Sequence, residues 1–164
     1  LVTRWQANNF DVISYSKVTL MTSHQTQLVQ ETFGQVAAFP AEITGSLFYN
    51  RLFTIAPELK PLFSRTTTPE QSRKLLTMLA YVVARLDKPD SLVADLTKLA
   101  QRHIRYGVKE RHYDLVGEAL LWTLEQGLGN AWTEETKNAW VACYTLLATI
   151  MLCNSYEIES NIDV

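Results

Sequence analysis

The chain holds three histidines, and two of them, His103 and His112, sit nine positions apart within "LTKLAQRHIRYGVKERHYDLVG". An imidazole can ligate a metal or carry a proton, so the question is which of them is placed for either. His103 continues the apolar series Leu92, Leu96, Leu99 at helical spacing, which puts it on the buried face of its helix. Two readings are open there. A core histidine would donate to a backbone carbonyl; a metal ligand would stay neutral, hold one ring N–H on a carbonyl or carboxylate, and turn the other nitrogen into an apolar pocket. His112 lies between Arg111 and Tyr113 at the polar start of the next helix, where a partly exposed, structural role without ligation is expected. His24 falls in a polar run and receives no role.

Two further polar residues stand among apolar ones. Gln71 heads the face Leu75, Met78, Val82, the place for an amide donor above a ligand pocket. It also lies three residues after Thr68, where a capping box explains it without any function. Tyr49, in "LFYNRLF", reads equally as core packing or as a hydroxyl donor, and a buried hydroxyl needs a partner. No Ser/His/Asp arrangement, paired-acid motif or carboxylate cluster with metal spacing occurs. Without a cofactor the chain has almost no catalytic machinery.

These residues require helices to position them, and the periodicity supplies helices almost throughout. Leu28, Val29, Phe33, Val36 and Ala37 recur at three- and four-residue steps behind a cap at Thr22 or Ser23. Pro40 suits a first turn, and Ile43, Leu47, Phe48, Leu52 and Ile55 continue the stripe. "PELKPLF" is a short segment between prolines. Thr68 as cap and Pro69 as first residue open the next helix. "DKPDS" breaks it, a helix from about Leu92 to Tyr106 ends at Gly107 in a left-handed turn, and another spans about Glu110 to Gly127. The last runs from near Thr133 to about Asn154. The expected fold is all-α, six to eight helices with short connections.

Composition narrows the function classes. The 164 residues suit one domain; the net charge is -2 and no basic block occurs, which disfavours a nucleic-acid partner. The longest apolar run, Trp140 to Cys153, is shorter than the ~20 residues of a bilayer span and reads as a buried helix. Cys143 and Cys153 sit roughly 15 Å apart on one helix, beyond disulfide reach, which suits a reducing, cytoplasmic compartment. Residues 1–20 differ in composition from the rest and make a poor signal peptide. They read as an appendage that is disordered or docks Trp5, Phe10 and Ile13, with Met21 as the natural start.

The ordered strings "LFYNRLF", "APELKPLFS", "QSRKLLTMLA", "RHIRYGV", "HYDLVGEALL" and "AWVACYTLLATIM" carry a resemblance. Over about residues 21 to 153 the chain resembles the bacterial single-domain globins, relatives of flavohaemoglobin globin domains and of Vitreoscilla-type haemoglobin. The resemblance implies a globin fold around a haem pocket, with an extension over residues 1–20, a globin domain over 21–155 and a tail over 156–164. It implies b-type haem as cofactor, with His103 as the proximal iron ligand and Phe63 packed on the haem. Tyr49 and Gln71 match the distal pair, Leu75 the apolar residue above the iron, and Tyr113 the tyrosine that contacts the proximal histidine. Lys74, along with Arg73, is placed either to pair with a haem propionate or to lie on a solvated face.

The flavohaemoglobin pattern completes a His–Tyr–Glu network from the last helix. Here "CNSYEIES" puts Asn154 and Ser155 nearest that place, with Glu157 half a turn on. A missing proximal carboxylate points toward ligand binding rather than oxygen activation. The implied function is reversible binding of oxygen, NO and CO, with high oxygen affinity, for transport, storage or NO detoxification. Nitric oxide dioxygenase activity is the first alternative and requires a separate reductase, since the family's reductase module needs a couple of hundred more residues. A gas or redox sensor is the second. The oligomeric state is not encoded legibly.

Overall fold

The computed structural model describes the backbone of residues 20–160 and the side chains through Cys153. The readings placed on Trp5, Phe10 and Ile13, and on the side chains of Asn154, Ser155 and Glu157, lie outside the described residues. Among those described there are six α-helices and two 3₁₀ segments, without a strand. The order is α1 (Ser23–Ala37), α2 (Ala41–Ile55), a 3₁₀ segment (Pro57–Phe63), α3 (Thr68–Val83), α4 (Pro89–Arg105), α5 (Glu110–Leu128), a 3₁₀ turn (Gly129–Ala131) and α6 (Glu134–Ser160). The all-α expectation is met, within the expected number of helices.

Each start has a chemical cause. At α1, Thr22 caps: its Oγ1 accepts Gln25 backbone N–H, and Gln25 Oε1 accepts Thr22 backbone N–H. At α3 the cap is Thr67, one residue earlier than expected, and Glu70 rather than Gln71 returns the bond. In a run of three threonines any could cap. A carboxylate three residues on, near the helix's positive end, decides for Thr67. α4 starts on Pro89, three residues before the expected Leu92. It ends as predicted at Gly107, whose φ of 82° only glycine adopts freely. There Gly107 N–H donates to Ile104 C=O and Val108 N–H to His103 C=O, which satisfies two terminal carbonyls.

The helices pack in two sets that meet over one core. α2 lies on α3 and α5, while α6 lies on α1 and α4. On α2 the buried residues are Gly45, Phe48, Tyr49 and Leu52; Ile43, expected on that stripe, is 62% exposed, because the stripe rotates away within the first turn. Gly45 lets α2 approach α3 so closely that a methyl group there would collide with the backbone and side chain of Ser72. α1 is pinned to α6 by the buried Trp140, whose indole N–H donates to Thr32 Oγ1 at 2.9 Å; Thr32 in turn donates to Leu28 C=O. The buried polar groups of this joint are therefore satisfied without water.

The α2–α3 contact makes a prediction. Gly45→Ala should destabilise the fold by about 1–3 kcal/mol through overpacking, about 2–4 °C of melting temperature per kcal/mol at this size. Gly34→Ala, in α1 with no neighbour within 4 Å, should leave the melting temperature unchanged or raise it. Calorimetry of the two variants checks this; equal shifts would contradict the close α2–α3 approach.

Candidate functional site

Between the two helix sets lies a cavity of about 480 Å³, lined mostly by apolar side chains from α2 through α6 and the Pro57–Phe63 segment. It gathers all seven residues singled out in the sequence: Tyr49, Phe63, Gln71, Lys74, Leu75, His103 and Tyr113. Such a pocket, large, apolar and furnished with a few polar groups, is the usual form of a cofactor site.

His103 comes from the last turn of α4. Its Nδ1 is 2.9 Å from Leu99 C=O. A carbonyl only accepts, so Nδ1 carries the proton and Nε2 keeps its lone pair. No described residue engages Nε2. Burial holds the ring's pKa below the usual histidine range; the Leu99 carbonyl opposes that shift and the Arg102 charge adds to it. A neutral imidazole with one nitrogen tied to the backbone and the other unclaimed in an apolar cavity is the state a metal ligand requires. Both sequence readings of His103 thus describe one geometry: the carbonyl bond of a core histidine is also the bond that orients a ligand.

Tyr49, buried on α2, packs edge-on to Phe48 and Phe63 with ring centroids 4.9 and 5.3 Å away. Phe63 also meets Phe53 edge-on at 5.6 Å, so the aromatic wall is held from two sides. The Tyr49 hydroxyl donates to Gln71 C=O at 3.5 Å, a long bond that leaves it weakly held. Burial pushes its pKa up to about 12, so it stays a phenol and a donor. Gln71, released from the cap by Glu70, turns its amide Nε2 to Thr66 Oγ1. Leu75 and Met78 follow it down the cavity face of α3. Lys74 and Arg65, both exposed, add two cationic side chains to the rim.

Tyr113, half-buried on α5, has its pKa raised to about 12 by burial. Its backbone carbonyl accepts from the Tyr144 hydroxyl of α6. Tyr144 occupies the space a side chain at Gly117 would fill, so α5 and α6 are tightly joined here. The structure places Tyr113 and His103 in one cavity without a hydrogen bond between them.

His112 differs from expectation. It is 6% exposed and lines the cavity. Its Nδ1 accepts Lys109 backbone N–H at 3.0 Å, so α5 begins with a histidine doing the reciprocal capping usually done by Glu or Gln. The signal existed in the sequence: His112, Val116 and Leu120 form a stripe at four-residue spacing, outweighed there by charged neighbours. Thr66, Arg65, Tyr106 and Tyr144 also line the cavity, without a signal in the sequence that marks them. His24, assigned nothing, pairs on the surface with Glu135 at 2.8 Å.

Elsewhere the chemistry is sparse. Among the described residues no group of three or more His, Cys, Asp or Glu could hold a metal ion, and no helix is long and apolar enough to cross a membrane. Cys143 and Cys153 form no disulfide, and burial raises the Cys143 thiol pKa to about 12, which leaves it unreactive.

The protonation state of His112 is testable. Burial foremost, then Arg111 and Lys109, lower its pKa, with Glu58 opposing. A histidine whose folded pKa is depressed stabilises the fold above the unfolded pKa of about 6.5, and that stability is lost as pH falls through the folded value. Unfolding free energy should therefore decline from pH 7.5 to 5.5, and less steeply in His112→Gln, whose amide can accept the same N–H without titrating. Denaturant titrations measure both slopes; identical slopes would contradict a buried neutral His112.

Comparison with known proteins agrees with the geometry. Residues 46–151 match the family model Globin. A flavohemoprotein of Rhizobium meliloti is 37% identical over 106 residues, covering 63% of this chain and 26% of that protein. One from Chromobacterium violaceum is 34% identical over 135 residues, 80% of this chain and 33% of that protein. The chain thus spans about a quarter to a third of the length of these relatives. Among solved structures, an engineered carbene transferase from Rhodothermus marinus superposes with a TM-score of 0.77 at 26% identity, covering 89% of this chain and all of that one. A bacterial globin from Campylobacter jejuni gives 0.74 at 24% identity over 85% of this chain and 99% of that one, a likeness of fold.

Proposed function

Because this chain belongs to the globin family and its relatives imply haem binding, we propose that the cavity holds b-type haem on His103 and that the protein reversibly binds diatomic gases, oxygen foremost. The observation that carries this is the unclaimed Nε2 of a neutral His103 in the same apolar cavity as two donors, Tyr49 and Gln71. The residues fit the group: a nitrogen donor for iron, an aromatic and aliphatic lining for the porphyrin, and Lys74 and Arg65 for its carboxylates. When bound, haem supplies the iron at which a small gas molecule coordinates.

The protein's own residues then set selectivity. Leu99 fixes the His103 ring and keeps its donor nitrogen unprotonated. Phe63 and Leu75 exclude water from the apolar pocket. The Tyr49 O–H and a Gln71 N–H in the cavity would favour a ligand that gathers negative charge, such as oxygen, over carbon monoxide, which gathers little. Each such bond contributes on the order of 1 kcal/mol, more with a charged acceptor. Two of them slow oxygen release without a comparable effect on carbon monoxide.

The likeness to a solved structure described as a putative nitric oxide dioxygenase from Rhodothermus marinus favours a second reading, nitric oxide dioxygenase activity supplied with electrons by a reductase. Sustained NO consumption with a reductase and reductant favours it; a single turnover favours gas binding. A cytoplasmic site of action fits a buried Cys143 thiol outside any disulfide.

Stopped-flow displacement of oxygen by carbon monoxide tests the distal pair. Tyr49→Phe and Gln71→Leu should each raise the oxygen off-rate by roughly fivefold or more, equivalent to about 1 kcal/mol, with little change in carbon monoxide release. Unchanged oxygen off-rates in both would contradict the proposal.

A further inference from the structure

The stretch "TTTPEQ", residues 66 to 71, fixes more than the start of α3. With Thr67 as N-cap and Glu70 as its reciprocal partner, Thr66 is the residue before the cap and Gln71 the fourth residue of the helix. Chain geometry brings these two positions together, and helices commonly fill them with an apolar pair that sets the entry angle of the chain. Here the pair is polar. Gln71 Nε2 donates to Thr66 Oγ1, and both side chains are half-buried and line the cavity.

We propose that Thr66 is a positioning residue: its hydroxyl holds the Gln71 amide in one orientation within the pocket and thereby sets how strongly Gln71 discriminates between ligands. The proposal deepens the reading above and rests on Gln71 facing the bound gas. A glutamine side chain has three rotatable bonds, and an untethered amide would sample many directions. One N–H committed to Thr66 leaves the second N–H on the same nitrogen with a defined direction. Ordering it before a ligand arrives removes that entropy cost from the binding step. The other end of the residue is also held, since Gln71 C=O accepts from Tyr49. The tether costs the helix nothing, because Glu70 and Thr67 complete the cap without Gln71. Thr66 touches neither iron nor gas in this scheme and acts only through Gln71.

The substitutions separate positioning from packing. Thr66→Val keeps the branched shape and the contact before the cap but removes the hydroxyl; Thr66→Ser keeps the hydroxyl and removes the methyl. In the haem-loaded protein, Thr66→Val should raise the oxygen off-rate roughly three- to tenfold, the range one hydrogen bond spans. It should also broaden or split the infrared stretching band of bound carbon monoxide as the amide disperses. Thr66→Ser should match the native protein on both measures. In a Gln71→Leu background Thr66→Val should have no further effect. In the haem-free protein, NMR should show one Gln71 side-chain amide proton exchanging slowly in the native chain and rapidly in Thr66→Val.

Native off-rates and amide exchange in Thr66→Val, beside an altered Gln71→Leu, would overturn this proposal and leave the distal role of Gln71 standing. An equal effect of Thr66→Val with and without Gln71 would overturn it as well, by showing that Thr66 acts elsewhere. If Gln71→Leu itself changes nothing, the distal reading falls and this one with it.

Discussion

The bond from His103 Nδ1–H to Leu99 C=O, at 2.9 Å, is the constraint on which the site depends. It fixes the tautomer, and the tautomer decides whether the chain can ligate anything. With the proton on Nδ1, Nε2 is a lone-pair donor at the edge of an apolar cavity; with the proton on Nε2 the cavity would face an N–H and hold no metal. Burial reinforces the choice by keeping the ring neutral. The bond is local to one helical turn, so its geometry is set by α4 before any cofactor arrives.

The rest of the architecture serves that turn. Gly107 closes α4 one turn after His103, and Val108 N–H caps His103's own carbonyl. His112 starts α5 within the same cavity by capping Lys109. α5 is then joined to α6 through Tyr144 and the Tyr113 carbonyl. Across the cavity's lining, the α2–α3 contact at Gly45 and Ser72 brings Tyr49 to the backbone of Gln71. Cap, turn and close approach thus act together to place three polar side chains among apolar ones.

The fold was legible because helical stripes are statistical: Leu92, Leu96, Leu99 and His103 announce a buried face whatever the partner. The end of α4 was legible at Gly107 because only glycine is at ease there. The start of α3 was misplaced by one residue because three threonines offer equivalent caps, and the choice rests on whether Glu70 or Gln71 returns the bond. That residue of register mattered, since it frees Gln71 for the pocket and brings Thr66 beside it. The burial of His112 was hidden by Lys109 and Arg111, whose charges reach solvent from the flanks of a stripe that itself points inward. Ile43 erred the other way, apolar yet exposed, because one turn of drift is enough to carry a residue off the stripe.

Resonance Raman spectroscopy of the ferrous, haem-loaded protein tests the central claim most directly, through the iron–histidine stretching band. The native protein should show the band, His103→Gly should lack it, and His103→Gly with added imidazole should recover it. A band that survives in His103→Gly without imidazole would show that another residue binds the iron and would contradict the role given to His103.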